Sequence, residues 1–184
     1  MKPMAGFLRL LPIAALGSIV LQLAIYGYRA RMRLLGRPSI WEPAFYLAKI
    51  SMTVSLGLLL WKALTQGGEL PSLWAVIYFF LLAGGTLFLT LGFRELGRNL
   101  RMGLPDEDTS LVTGGVYHLS RNPLYLGLFL LLGASLIYAP TWLNLGAALV
   151  SVGLHHRIVL AEERYLAQRF KAYASYRARV RRYL

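Results

Sequence analysis

Uncharged, mainly apolar tracts alternate along the chain with short arginine-rich segments. A helix that crosses a bilayer needs about 20 mainly apolar residues, and each tract can be compared with that length. The first three predicted spans are Leu10–Tyr28, Pro43–Trp61 and Leu70–Phe93, of which the second carries one charge, Lys49. A charged residue inside a span can mark a functional pathway. The favoured interpretation of Lys49 is nevertheless a side chain that snorkels to the membrane interface.

The fourth tract, Asn122–His156, has 35 residues without a formal charge. One helix of that length would far exceed a hydrocarbon core of about 30 Å. Pro140 interrupts the tract near its middle, where proline disfavours a continuous helix. We predict two short spans joined as a tight helical hairpin, with one long kinked helix as the alternative. The chain is therefore expected to be an all-α integral membrane protein with about five transmembrane helices.

Basic residues cluster in three of the segments outside these spans, and such clusters mark the cytoplasmic side. They are Arg29, Arg31, Arg33 and Arg37 after the first span, Arg94, Arg98, Arg101 and Arg121 between the third and fourth, and Arg157, Arg164, Arg169, Lys171, Arg177, Arg179, Arg181 and Arg182 after the fifth. Lys2 and Arg9 favour the opposite orientation but are outnumbered. We predict an N-terminus outside and a C-terminus in the cytoplasm.

The composition agrees with a membrane protein. Hydrophobic residues make up 57% of the 184 residues and charged residues only 15%, against about 25% charged residues in soluble domains. The net charge of +12 lies in segments that flank apolar tracts, which fits an anionic membrane surface and not nucleic acid. Because the chain has no cysteine, disulfides and thiolate chemistry are excluded. The sequence carries no signal for an oligomeric state.

The segment after the fifth span is amphipathic. Apolar and aromatic residues recur there every three or four positions among arginines: Leu166, Phe170, Tyr173 and Val180. We predict an interfacial helix on the cytoplasmic leaflet. The organisation expected is one membrane domain over 1–184, with three spans in 1–93 and a loop, the hairpin and a C-terminal cap in 94–184.

The first candidate site is the segment Leu111–Gly127. Gly114-Gly115 permits a turn with positive φ, in which backbone N–H groups approach a ligand closely. Asn122 is placed to cap the helix that Pro123 begins. A helix start attracts anions such as a carboxylate, and Arg121 beside it would strengthen that site. A capped helix with a snorkelling arginine remains an open interpretation.

The second candidate site lies at the inner end of the fifth span. Arg157 is followed by Glu162-Glu163, and unpaired ionisable residues at a membrane boundary are costly. Two adjacent glutamates could hold a cationic ligand. The alternative is that they pair with Arg164, Arg169 or Arg121.

Several classes of site are excluded or disfavoured. Five spans use about 100 residues, which leaves too few for a doubly wound nucleotide-binding domain. The motifs GxGxxG, GxxxxGK[ST], HExxH and GxSxG are absent, and no metal site is expected. Any cofactor site must therefore be built from the cytoplasmic ends of the spans, the 94–121 loop and the C-terminal segment.

At both candidate sites the chain resembles the superfamily of isoprenylcysteine carboxyl methyltransferases and phospholipid methyltransferases. Leu111–Gly127 matches the family pattern L-V-T-x-G-x-Y-x-x-x-R-H-P-x-Y-x-G except at Asn122, where the family usually has histidine. The later pattern E-E-x-x-L…F…Y-x-x-Y…V is matched by Glu162, Glu163, Leu166, Phe170, Tyr173, Tyr176 and Val180. Gly97-Arg98-Asn99 is similar to the segment that precedes the first motif. Asparagine keeps hydrogen bonding but loses the titratable ring, so a proton-transfer role at this position is not expected.

The resemblance implies S-adenosylmethionine as the methyl donor, bound on the cytoplasmic side under the C-terminal segment. It implies that the cofactor pocket is formed by Thr109, Ser110, Leu111, Val112, Tyr117, Asn122, Pro123, Leu124, Tyr125 and Glu162. Arg157 would lie nearest the substrate head and is the candidate catalytic residue. From their chemistry, Glu162 and Glu163 suit the cofactor's ammonium, and Arg121 with the helix start suits its carboxylate.

The leading hypothesis is a membrane methyltransferase that uses S-adenosylmethionine and acts on a lipidic or prenylated substrate. No residue stands out as a general base, which favours an acceptor already ionised at neutral pH, such as a carboxylate. An NADPH-dependent sterol-type double-bond reductase of similar membrane architecture is one alternative. A non-enzymatic membrane scaffold or carrier is the other.

Overall fold

The computed structural model describes residues 2–30, 36–67, 69–100, 103–104 and 109–184. Six α-helices lie in these ranges: α1 Lys2–Ala30, α2 Glu42–Thr65, α3 Ser72–Leu96, α4 Pro123–Tyr138, α5 Trp142–Arg169 and α6 Tyr173–Arg179. Two single-turn 3₁₀ helices, Gly97–Asn99 and Gly115–His118, lie between α3 and α4. The described residues contain no strand. The protein is an all-α integral membrane protein, as the sequence predicts.

Four of the described helices are long and apolar enough to cross a membrane: α1, α2, α3 and α5. The fifth apolar helix, α4, has only 16 residues, or about 24 Å at 1.5 Å per residue. The predicted hairpin is confirmed, because α4 ends at Tyr138 and α5 begins at Trp142. Thr141 caps the second helix by accepting a hydrogen bond from the Asn144 amide (3.1 Å).

The helices pack in the order α1, α3, α4, α2, α5; in addition, α1 contacts α2, and α4 contacts α5 across the hairpin. The backbones of α3 and α4 approach closely at Gly85 and Gly127. A Cβ at either glycine would lie 2.8 Å from the carbonyl oxygen of the other. Small residues at such crossings let apolar helices pack without a side chain between them. This contact explains the glycine that ends the first motif.

Contacts join the connecting segments at each end of the bundle. Arg37, which precedes α2, and Leu104, which follows α3, exchange two backbone hydrogen bonds of 2.9 Å. At the opposite end, Arg9 donates to the carbonyls of Ala63 and Leu64 (3.0 Å each). Arg9 therefore provides hydrogen-bond donors for carbonyls in the last turn of α2. This contact is a structural reason for an arginine at the end opposite to the other basic clusters. The predicted charge clusters fall partly outside the described residues, at Arg31, Arg33 and Arg101.

A buried polar network joins α2 and the hairpin. The Asn144 side chain is fully buried and donates to Ser135 Oγ (2.9 Å) and to the carbonyls of Ser135 (3.0 Å) and Ala139 (2.9 Å). Its Oδ1 accepts from Ser55 Oγ at 2.6 Å. Polar groups inside a membrane must be satisfied within the protein. The network thus fixes the turn of the hairpin and its position against α2.

We expect Asn144→Leu to destabilise the protein without affecting ligand affinity. Buried hydrogen bonds between membrane helices contribute about 0.6 kcal/mol each on average, so losing the bonds of two N–H donors and one accepting oxygen gives about 2 kcal/mol. At about 2–4 °C per kcal/mol, a thermal shift assay in detergent should show a Tm lower by roughly 4–8 °C. Leu143→Ala, at the neighbouring exposed position, is the control and should leave Tm nearly unchanged. Equal Tm values for the two variants would contradict this role for Asn144.

The C-terminal amphipathic segment differs in detail from the single interfacial helix that its periodicity predicts. Leu166 still belongs to α5, the chain leaves helical geometry at Phe170, and only Tyr173–Arg179 forms the short helix α6. Tyr173 and Tyr176 are buried in the protein. The aromatic stripe therefore packs against the first motif.

Candidate functional site

A cavity of about 330 Å³ lies between α1 to α5, the segment before α4, and α6. Its volume is at the lower end of the range for small-molecule pockets. One part, which we call the apolar arm, runs between the helices and is lined by Leu16, Ile19, Met52, Leu56, Leu89 and Leu131. The other part, the polar end, is lined by Lys49, Thr109, Ser110, Tyr117, Tyr125, His155, Glu162 and Tyr173. The cavity therefore joins a lipid-like environment to a cluster of ionisable groups.

Glu162 is the carboxylate of the polar end. It lies on the same face of α5 as His155, seven residues earlier, because seven residues make nearly two helical turns. Tyr125 Oη donates to Glu162 Oε1 at 2.9 Å. Among the described residues, Tyr125 is the only hydrogen-bond partner of this side chain. The Glu162 carboxylate is thus fixed by α4 and keeps a second oxygen for a ligand.

Glu163 has a different environment, although it is the next residue. It is buried and its side chain forms ion pairs of 3.1 Å with Arg121 and Arg182. Asn122 Nδ2 donates to Glu163 Oε1 at 2.9 Å. The hydrogen bond to Glu163 also raises the pKa of Arg182. Glu163 therefore joins the start of α4 to the C-terminus and does not line the cavity.

The start of α4 is not built as the sequence predicts. Asn122 occupies the N-cap position, but its side chain does not cap the helix because it is bonded to Glu163 and to the Arg182 carbonyl (3.2 Å). Arg121 lines the cavity, yet its guanidinium donates to Glu163 and to the carbonyls of Arg177 (3.1 Å) and Val180 (2.8 Å). Since an arginine side chain has five N–H groups, these contacts use its donors. Arg121 holds the C-terminal segment and has no free donor for a ligand carboxylate.

The C-terminal segment closes over the first motif. Tyr176 Oη donates to the Tyr117 carbonyl at 2.7 Å, and the Arg121 amide donates to the Arg181 carbonyl at 3.0 Å. Burial raises the pKa of Tyr176 to about 12 and also raises the pKa of Tyr117. Both phenols therefore stay neutral at physiological pH, and Tyr176 remains a donor. Residues 173–183 thus form a cap over the polar end.

Asn99 orders the segment that enters the site. Its side chain donates to Ser110 Oγ (2.9 Å) and accepts from Thr109 Oγ1 (3.1 Å). This bond pair places 109–112 along the cavity wall. The turn at Gly114-Gly115 has the expected positive φ at Gly115 (54°). A Cβ there would clash with the Glu95 carboxylate, and neither glycine lines the cavity. The turn serves local packing.

Most of the candidate cofactor residues from the sequence lie on the cavity wall. These are Thr109, Ser110, Leu111, Val112, Tyr117, Arg121, Asn122, Leu124, Tyr125 and Glu162. Pro123, Glu163 and Arg157 do not line it. Arg157 is exposed and lies about 140° around α5 from Glu162, at 100° per residue. The structure therefore places the candidate catalytic arginine on the opposite side of α5 from the polar end.

Sequence reasoning missed two ionisable residues of the site, Lys49 and His155. Lys49, interpreted from the sequence as a snorkelling side chain, lines the cavity: its ammonium lies 3.4 Å from His155 Nε2 and over the Phe45 ring, 5.0 Å from its centroid. The signal that could have identified it is its position as the one charge in an apolar span. Within the described ranges, no group of three or more His, Asp or Glu side chains is placed to bind a metal ion.

A family model described as phospholipid methyltransferase matches residues 73–173, which is more than half of the 184 residues. The chain belongs to the phospholipid methyltransferase family. The protein is thus a membrane methyltransferase in the broad sense of that family. The matched region runs from the start of α3 to Tyr173 and includes most of the polar end. A comparison with individually curated proteins finds no match.

Proposed function

We propose that this protein transfers a methyl group from S-adenosylmethionine to a lipid-like acceptor inside the membrane. The observation that carries this proposal is the Glu162 carboxylate, which lies in the cavity, is oriented by Tyr125, and has one oxygen without a hydrogen-bond partner among the described residues. A carboxylate in this position suits the amino group of the cofactor. S-adenosylmethionine supplies a methyl group bonded to a positively charged sulfur.

Other features of the polar end also fit this cofactor. The Tyr173 hydroxyl is buried and has no hydrogen-bond partner among the described residues, so a polar ligand atom would satisfy it. The first turn of α4 lacks a side-chain cap, and Leu124 and Tyr125 at that turn line the cavity. Backbone amides there suit a ligand carboxylate. The rings of Tyr117 and Tyr125 offer faces for the adenine or the sulfonium.

The protein's contribution to the reaction is positioning and exclusion of water. Glu162 and the start of α4 would hold the two charged groups of the amino-acid moiety, and the cap of residues 173–183 would cover them. Methyl transfer is an in-line displacement, which gains chiefly from orientation and a dry site. We assign Glu163 and Arg121 to the attachment of this cap, and we assign no catalytic role to Arg157.

The apolar arm supports a lipidic acceptor. It reaches α1 at Leu16 and Ile19, so an apolar chain could lie between the helices while its head meets the polar end. The basic segments support an orientation with the N-terminus outside and the cofactor site on the cytoplasmic side.

Calorimetry on the detergent-solubilised full chain tests the cofactor. We expect S-adenosylhomocysteine to bind at micromolar concentrations and NADPH to show no heat of binding. Incubating the protein with lipid extract and methyl-labelled S-adenosylmethionine should then label a lipid product. Binding of NADPH alone would support a reductase, and binding of neither compound would contradict both enzymatic hypotheses.

A further inference from the structure

Lys49 holds a positive charge where the polar end meets the apolar arm. It lies on α2, seven residues or about 10 Å from Glu42 at the helix start. Met52 and Leu56, three and seven residues later, share its face and line the apolar arm. The ammonium is therefore at the point where an acyl chain in the arm would end.

His155 orients this ammonium but does not neutralise it. The His155 ring is buried, and its Nδ1 lies 2.8 Å from the Ser151 carbonyl oxygen. A carbonyl only accepts, so Nδ1 carries the proton and Nε2 presents a lone pair to Lys49. That contact uses one of the three ammonium N–H groups, and two remain for a ligand.

No carboxylate forms an ion pair with Lys49 among the residues that the structure describes. The ion pairs described near the polar end are those of Glu163 with Arg121 and with Arg182. Glu162 acts on Lys49 only through its longer-range field, and its carboxylate is bonded to Tyr125. A charge at membrane depth is costly without a partner and commonly marks a substrate path. A ligand anion would supply the direct ion-pair partner that the described residues do not.

We propose that Lys49, oriented by His155, binds the anionic head of the acceptor lipid while an apolar chain of the acceptor fills the arm. The identification of this ligand as the methyl acceptor rests on the proposed methyltransferase function. The existence of an anion site at Lys49 does not depend on that function. The arrangement separates the two ligands by charge: Glu162 takes the cationic amino group and Lys49 takes the anionic head. An acceptor of this class is an amphiphile with a carboxylate or phosphate head.

Binding of C16 amphiphiles to the full chain in phosphatidylcholine nanodiscs tests this site. The probes are radiolabelled palmitate and monohexadecyl phosphate, with hexadecanol as the neutral control. We expect Lys49→Met to weaken the anionic probes ten- to a hundred-fold and to leave hexadecanol unchanged. Lys49→Arg should retain most of the affinity. The tighter of the two anionic probes identifies the head group.

Lys62→Met is the matched control, because Lys62 lies on the same helix, at its far end beside Tyr138. It should bind all probes like the wild type. The proposal would be overturned if Lys49→Met lost affinity for palmitate and hexadecanol equally, or lost affinity for neither. It would also be overturned if the wild-type protein bound neither anionic probe. Calorimetry with S-adenosylhomocysteine on the same samples distinguishes the proposed function from the anion site. If the wild-type protein does not bind S-adenosylhomocysteine, the methyltransferase proposal is contradicted but the anion site is not.

Discussion

Deleting residues 171–184 should abolish binding of S-adenosylhomocysteine while the apolar helices still insert into the membrane. The deletion leaves Glu162 and all of α5 in place. It removes Tyr173 and Tyr176, which line the cavity, and Arg182, which pairs with Glu163. Water would then reach the polar end, and contacts between the ligand and charged groups would weaken as the local dielectric rises. Membrane fractionation and calorimetry of the truncated protein check the two parts of this prediction.

A second, shorter truncation controls for the effect of altering the C-terminus itself. Removing only Leu184, which is 65% exposed, leaves the contact of Tyr183 with His156 (2.8 Å) and should not change affinity. Tyr173→Phe removes a single hydroxyl and leaves the cap in place, so a loss of affinity there separates a ligand contact from general unfolding. If the protein without residues 171–184 bound S-adenosylhomocysteine normally, the cap would have no part in the site.

The helices could be predicted from the sequence because their signals are local. An uncharged tract of sufficient length predicts a span, and Pro140 alone divides the last tract into two helices. The length of the uncharged tract could not predict that α4 is only 16 residues long. Its length depends on the turn at Ser120–Asn122, where the Arg121 amide donates to the Arg181 carbonyl and the Ser120 and Asn122 side chains donate to the Arg182 carbonyl. Those partners lie about 60 residues away and leave no periodic signal.

The candidate site could be located from its motifs, but the roles within it could not be separated. Adjacent glutamates point about 100° apart on a helix, so Glu162 and Glu163 had to face different surroundings. Which one faces the cavity depends on how α5 is rotated against α4. Lys49 and His155 are 106 residues apart, and their contact exists only because α2 packs on α5. Lys49 lies outside the region of resemblance, and His155 lies inside it but belongs to neither motif, so the motifs give no reason to join them.

Asn122 shows how a departure from the family pattern fits its surroundings. At the position where the family usually has histidine, the amide donates to Glu163 and to the Arg182 carbonyl at once. One N–H group thus contacts the buried carboxylate and the other contacts the C-terminal segment, without a titrating ring. The contact belongs to the attachment of the cap.

Glu162→Gln should lower the affinity for S-adenosylhomocysteine ten- to a hundred-fold and leave Tm unchanged. Glutamine keeps the shape and still accepts from Tyr125, but it loses the negative charge proposed to face the ligand's amino group. Hydrogen bonds to charged groups contribute about 1.5–3 kcal/mol, which corresponds to that range of affinity. No described basic residue forms an ion pair with Glu162, so folding stability has little to lose. Calorimetry and a thermal shift assay measure the two quantities.

Glu163→Gln is the matched control and should show the reverse pattern. Removing one member of a fully buried ion pair costs about 3–5 kcal/mol. The loss should be smaller here because the Arg182 side chain is 33% exposed, although that of Arg121 is only 8% exposed. A Tm lower by several degrees is expected, with affinity retained below the transition. Loss of affinity confined to Glu163→Gln would reverse the assignment of the two glutamates. Normal affinity in both variants would mean that the cofactor binds elsewhere.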